Sequence, residues 1–282
     1  MVLPSFVGIG SPRAGTTWLY NLLSSHPDVF MPQLRKEINF FNLNYEKGID
    51  WYGRFFPENE INSHYRAIGE ISPHYLYCDQ CPERMAGIGS IQKLVIQIRN
   101  PSNRAFSYYQ LRIKNTNFTG TFREFLDSRP ETLDEGFYSK YLKNYLKIFP
   151  REQILVLVFE QMFRNLDQTK KTIAQCFDVD PDKFPAEAGT EKINQSYLPR
   201  APKVYSITHH FAHFLRNNDL DSLVNWTKRI GINRFFGKGK KLPKIDQDTQ
   251  EFLLGVYGIE KGELESLLGI DLSCWEMDIE SK

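Results

Sequence analysis

The residues with chemistry in this chain begin at Gly10-Ser-Pro-Arg-Ala-Gly-Thr-Thr-Trp18, directly after the apolar run Phe6-Val-Gly-Ile-Gly10. A strand-like run, a glycine-rich turn and the apolar spacing of Trp18, Leu19, Leu22 and Leu23 predict a strand–loop–helix unit. Such a unit is an anion cradle. Backbone N–H groups at a helix N-terminus have no intrahelical acceptor, and the helix dipole favours negative charge there. Arg13 adds a fixed positive charge, and Ala14, Gly15, Thr16 and Thr17 add backbone and hydroxyl donors. The expected ligand is phosphate-like. A second basic group follows the run Lys93-Leu-Val-Ile-Gln-Ile98, which reads as a buried parallel strand ending in Arg99. Open α/β sheets bind ligands at the carboxyl ends of such strands.

What the loop lacks narrows the anion. A loop of the form G-x-x-x-x-G-K-[ST] places a lysine on terminal phosphates and a hydroxyl on magnesium. Gly10 and Gly15 have that spacing, but Thr16 stands where the lysine belongs. The strand ending at Ile98 is followed by Arg99, not by a magnesium-binding aspartate. A P-loop-type small-molecule kinase is therefore the weaker reading, and no metal is expected.

With those residues in view, a family resemblance is visible. Pro12-Arg-Ala-Gly-Thr-Thr-Trp18 resembles the 5′-phosphosulfate loop of PAPS-dependent sulfotransferases. Arg99-Asn-Pro-Ser-Asn-Arg-Ala-Phe-Ser-Tyr-Tyr109 resembles their 3′-phosphate motif, an arginine with a serine eight residues later. Lys36-Glu-Ile-Asn-Phe-Phe41 is similar to an element of the heparan sulfate branch, as are Gly69-Glu-Ile-Ser-Pro-His-Tyr75 and the run from Phe149-Pro to Val158-Phe-Glu160. The likeness covers about the first 160 residues in the family's order, and two nucleotide motifs plus an acidic element are far more specific together than any one alone.

The resemblance implies PAPS as sulfuryl donor, PAP as product, and a hydroxyl acceptor on a small molecule, lipid, polyketide or sugar. It implies that Thr16 and Thr17 meet the 5′-phosphosulfate, that Trp18 lies beside the adenine, and that Arg99 and Ser107 hold the 3′-phosphate. Lys192, Tyr197 and Arg200 would close over the nucleotide. Arg13 replaces the lysine most relatives carry, so it can stabilise charge but not release a proton at neutral pH. Glu37 matches the general base of the heparan sulfate branch, and His74 is the rival base. Ile71 stands where heparan-type relatives carry a lysine, which argues against a sulfate-lined polysaccharide cleft. A non-catalytic PAP-binding module remains the third reading.

The elements that must position these residues alternate as α/β. Strands are predicted at 6–10, 67–70, 93–99 and 154–159. Helices are predicted at 16–25, 82–87, 103–114, 121–128, 138–149 and 166–177, with further helical stretches at 209–216, 221–229 and 247–268. This order predicts one domain over 1–282, a central parallel β-sheet flanked by helices with a P-loop-like nucleotide core at about 4–180. A loop from Val179 to Lys203 is long enough for a lid, followed by a helical C-terminal part. The aromatic cluster Phe40, Phe41, Tyr45, Trp51, Tyr52, Phe55, Phe56, Tyr75 and Tyr77 reads as core or as pocket lining.

Composition sets the outer limits. A net charge of +1 over 282 residues speaks against general nucleic-acid binding, so any positive field is local. No apolar run reaches the roughly 20 residues that span a bilayer. The first strand begins within about five residues of the N-terminus, too early for a signal peptide. A cytoplasmic protein, or the soluble part of an anchored enzyme, is expected. Oligomeric state is left open. Cys78-x-x-Cys81, Cys176 and Cys274 lack zinc-ligand spacing and are expected as reduced thiols.

Overall fold

A computed structural model of the chain describes residues 1–57, 64–190, 198, 202–217, 219–221, 223–224 and 241–276. Five strands form one sheet: β1 (Phe6–Gly10), β2 (Val29–Phe30), β3 (Ala67–Ile71), β4 (Lys93–Ile98) and β5 (Ile154–Val158). All pairings are parallel and the order is β2-β3-β1-β4-β5. β1 is central. The chain builds outward from it on one side with β3 and β2 and on the other with β4 and β5, so a crevice opens at its carboxyl end.

Side chains alternate across a strand, so two faces need two cores. Val7, Ile9, Leu94, Ile96, Ile98, Ile154 and Val158 belong to one cluster, with Tyr138, Leu142 and Tyr145 of helix Tyr138–Leu146 and Leu264 and Leu268 of helix Glu260–Leu268. Phe6, Val95 and Leu157 belong to the other, with Trp18, Leu19, Leu22 and Leu23 of helix α1 (Thr16–Ser24) and Ile173, Ala174 and Phe177 of helix Leu166–Phe177. Both faces are therefore covered, as near-continuous apolar strands require.

The chain divides into two compact units. The first comprises Met1–Pro101, Phe137–Ile193 and Tyr257–Lys282, and the second Ser102–Gly136 and Asn194–Val256. The sheet and both clusters lie in the first. In the second, Arg104 is fully buried and pairs with Glu135 at 3.0 Å, its guanidinium also donating to the Thr132 carbonyl. Thr121 and Glu124 there form a reciprocal capping box that starts helix Phe122–Ser128.

Most predicted elements are present with small boundary shifts; helix Pro202–Asn217 begins seven residues before the expected 209, and the stretch expected at 221–229 lies mostly outside the described residues. β2 has only two residues, too few for any periodicity. The helical stretch 247–268 is two helices, Gln247–Tyr257 and Glu260–Leu268, interrupted at Gly258, a poor helix former. Helix Pro101–Thr116 begins two residues early, with proline at its first position.

Candidate active site

The loop after β1 is fastened to the neighbouring strand. The Ser11 backbone N–H and hydroxyl both donate to the Gln97 carbonyl of β4, at 2.7 and 3.0 Å. The pairing of β1 with β4 shifts register between Gly8 and Gly10, a bulge at the rim of the crevice. Ala14 N–H then donates to Ser11 O at 3.2 Å, and Arg13 sits in the left-handed region with φ 73°. Gly15 caps α1 with φ 94°, and a Cβ there would lie 3.1 Å from Phe159 Cδ2, so conformation and space both demand glycine. Thr16 and Thr17 are the first two helical residues, and no side chain caps the helix at Gly15.

Arg99 joins this loop. Its guanidinium lies 4.6 Å from the Phe159 ring centroid, and Nη1 donates to Arg13 O at 3.2 Å. Behind it, Tyr138 Oη donates to Arg99 O at 2.9 Å. The Asn100 N–H donates to Glu160 Oε1 at 3.0 Å, and Trp275 Nε1 donates to Oε2 at 3.0 Å. Burial raises the Glu160 carboxyl pKa against these donors. The peptide that follows Arg99 is therefore held at both its carbonyl and its N–H, with Trp275 bracing the Glu160 carboxylate.

Lys36 connects the anion loop to Glu37. Its Nζ donates to Thr17 Oγ1 at 2.8 Å and to Glu37 Oε1 at 3.1 Å. The Glu37 side chain is 41% exposed, so its carboxylate is open to an arriving molecule. A second carboxylate, Glu70 on β3, is fully buried. Glu70 accepts from Tyr75 Oη at 2.6 Å, Ser72 Oγ at 2.7 Å and Tyr52 Oη at 3.1 Å, and from the Ile38 N–H. Burial pushes its carboxyl up to about 7, opposed by those donors.

The other expected residues fall as follows. Trp18 is 3% exposed, stands edge-on to Phe163 and donates its indole N–H to Gly189 O at 2.8 Å. Its ring belongs to the buried cluster on the inward stripe of α1. His74 is half-buried on the 3₁₀ turn Pro73–Tyr77, its ring 6.2 Å from that of Tyr77. Ser107 is buried on helix Pro101–Thr116 and falls in the second unit, whereas Arg99 falls in the first. Lys192, Tyr197 and Arg200 lie outside the described residues. Lys36, Glu70 and Glu160 were not expected in the site, although the quoted family-like segments contain all three.

Most of the aromatic cluster is core: Phe40, Phe41, Tyr52, Phe55, Phe56 and Tyr75 are all buried. An open cleft of about 590 Å³ is lined in part by Met1, Leu3, Phe40, Tyr45 and Arg84. It opens by the amino end of β1, whereas the anion loop follows the carboxyl end, so it is not the crevice of the loop. The four cysteines are free thiols. Among the described residues no cluster of His, Cys, Asp and Glu is arranged to hold a metal ion, and no helix is long and apolar enough to cross a membrane.

A strand–loop–helix anion cradle on a parallel sheet, with no lysine in the loop and an arginine after the adjacent strand, defines the class. The sulfotransferase domain family matches residues 4–220, and the chain belongs to that family. The human bifunctional heparan sulfate N-deacetylase/N-sulfotransferase 3 is 27% identical over 97% of the chain, which spans 31% of that protein's length. A sulfotransferase from Alicyclobacillus acidocaldarius shares the fold, with a TM-score of 0.69, 23% identity, and 98% and 100% of the two chains covered. The sulfotransferase domain from the curacin biosynthetic pathway aligns with a TM-score of 0.50 and 14% identity over 92% of this chain and 99% of that one.

Proposed function

We propose that this chain transfers a sulfuryl group from PAPS to a carbohydrate, that Glu37 takes the proton from the attacking sugar hydroxyl, and that Arg13, Arg99 and the first turn of α1 hold the donor. Bound PAPS supplies the activated sulfuryl group. Its transfer is an in-line displacement, so the protein must align two oxygens about sulfur and stabilise charge on the departing phosphate. The fit is supported by the loop itself: a left-handed glycine at the helix start, two hydroxyl residues opening the helix, and two guanidinium-bearing residues joined by a hydrogen bond.

The observation that carries the reading is Lys36. One ammonium touches Thr17 of the anion loop and the Glu37 carboxylate, at 2.8 and 3.1 Å. A base must lie within reach of the acceptor beside the donor, and Glu37 is tied to the donor loop by that single group. Arg13 keeps its proton throughout and acts by charge alone. A carbohydrate is favoured by the relatives' names, heparan sulfate N-deacetylase/N-sulfotransferases. Ile71, 1% exposed in the core, contributes no cation to an acceptor cleft. The cation expected at that position for recognising a heavily sulfated polymer is thus missing, and a sparsely sulfated sugar fits better.

Two measurements test this. Calorimetry should give a PAP complex unaffected by magnesium and no comparable binding of ATP–Mg²⁺. ³⁵S-labelled PAPS offered to N-deacetylated heparan sulfate, to its N-acetylated form and to simple alcohols and phenols should label a sugar. Label on the free amine alone would replace hydroxyl by amine as nucleophile, and label only on phenols would overturn the carbohydrate reading.

A further inference from the structure

We propose that Glu70 is a positioning residue: a buried carboxylate that, directly and through Ser72 and Tyr75, fixes three successive backbone amides of the segment bearing Glu37. The proposal rests on the reading of Glu37 as base.

The Ile38 N–H donates to the Glu70 carboxylate. The Asn39 N–H donates to Ser72 Oγ at 3.0 Å, and the Ser72 hydroxyl donates in turn to Glu70 Oε2 at 2.7 Å. The Phe40 N–H donates to Tyr75 Oη at 2.7 Å, and Tyr75 donates onward to Glu70 Oε1 at 2.6 Å. Three consecutive amides thus end on one carboxylate, two of them through a hydroxyl relay. They converge because Asn39 adopts the left-handed conformation, φ 54° and ψ 38°, which asparagine tolerates better than most residues. Curling the backbone there turns its amides to one side, a concavity of the kind that holds anions. The carbonyls are held as well: Asn39 Nδ2 donates to Glu37 O at 3.3 Å, and Asn44 Nδ2 donates to the Ile38 and Asn39 carbonyls, each at 3.1 Å.

Burying a carboxylate is costly unless it is well supplied with donors. A carboxylate kept merely for packing needs any donors; this one draws on the residues that immediately follow Glu37. Tyr52 offers an internal control. Its hydroxyl also donates to Glu70 Oε1, at 3.1 Å, but none of its hydrogen bonds reaches the 38–40 amides. Removing the Tyr52 or the Tyr75 hydroxyl costs Glu70 one donor in either case, yet only the second releases the segment.

The test compares Glu70→Gln, Tyr75→Phe, Tyr52→Phe, Glu37→Gln and the double variant Glu37→Gln/Glu70→Gln. Turnover is read with ³⁵S-labelled PAPS and whichever panel acceptor the unaltered chain labels, alongside PAP affinity, thermal midpoint and amide exchange at residues 38–40. Glu70→Gln and Tyr75→Phe should each lower kcat about 10- to 100-fold, the usual effect of a small displacement of a reacting group, with PAP affinity unchanged. Tyr52→Phe should keep its kcat. In the Glu37→Gln background, Glu70→Gln should cause no further loss, since it acts through the missing group. Amides 38–40 should exchange roughly tenfold faster in Glu70→Gln and Tyr75→Phe, but not in Tyr52→Phe.

Equal losses in Tyr52→Phe and Tyr75→Phe, unchanged exchange at 38–40, or an undiminished effect of Glu70→Gln without Glu37 would each overturn the positioning role. Near-normal turnover of Glu37→Gln by itself would instead overturn the base assignment and this proposal with it. Should Glu70→Gln fail to fold, the paired tyrosine variants decide the matter alone.

Discussion

Replacing Arg99 by alanine separates the two ends of the nucleotide. In the structure its guanidinium packs 4.6 Å from the Phe159 ring and donates to Arg13 O at 3.2 Å. The ring contact contributes about 0.5–1 kcal/mol and orients the group in the free protein as in the complex, so its loss shows as a lowered thermal midpoint. A charge-assisted bond to phosphate is formed only in the complex and is worth about 1.5–3 kcal/mol, about 10- to 150-fold in affinity. The assay is calorimetric titration at pH 7 and fixed salt with two ligands, PAP and AMP, which differ by the 3′-phosphate. If Arg99 holds that phosphate, Arg99→Ala weakens PAP by the stated factor and leaves AMP nearly unchanged. If Arg99 works instead by shaping the loop through the Arg13 carbonyl, both ligands weaken alike. Equal losses, or PAP affinity that does not change, would refute the assignment of Arg99 to the 3′-phosphate.

Three further outcomes are expected. Glu37→Gln should leave PAP affinity intact and cut turnover roughly 10²- to 10⁴-fold in the labelled-PAPS assay; near-normal turnover would move the base to His74. Glu70 binds its proton more tightly folded, at about 7, than at the ordinary value of 4.5, so the unfolded state loses the proton first as pH rises. Stability should therefore fall between about pH 4.5 and 7 and level off above, by at most about 3 kcal/mol from this group, and urea titrations of Glu70→Gln across that range should be flatter than those of the unaltered chain. In the second unit, Glu135→Ala strips the fully buried Arg104 of its carboxylate and should cost about 3–5 kcal/mol in a denaturant melt; a loss below about 1 kcal/mol would mean the pair is not buried in solution.

The candidate anion loop was legible as a local pattern. The loop from Gly10 to Thr17 and the strand ending before Arg99 are contiguous patterns, and apolar parallel strands announce themselves. What escaped was the long-range wiring. Lys36 next to Glu37 reads as an ordinary neighbouring ion pair, and only folding shows the same ammonium on Thr17, nineteen positions earlier. Trp18 reads first as a neighbour of the adenine and nearly as readily as core, and only folding shows it buried. Glu70 did leave a trace: a carboxylate inside Ala67-Ile-Gly-Glu-Ile71, a run with every position buried, is expensive without partners. Its partners Tyr52 and Tyr75 could not be chosen from nine nearby aromatic residues without the structure.

The loop of Gly10 to Thr17 and the side chain of Arg99 issue from β1 and β4, which are hydrogen-bonded neighbours. Adjacent strands are about 4.8 Å apart, a spacing set by peptide geometry and indifferent to side-chain identity. The offset between these two proposed anion-binding elements is thus a gauge cut into the backbone. Drift in surface segments can retune which alcohol or amine is accepted, because such segments move and vary freely. Shortening or lengthening the donor would require two central strands to slide past each other, which would drag both apolar layers out of register. A lineage built on this frame is free to change its customers but not its currency.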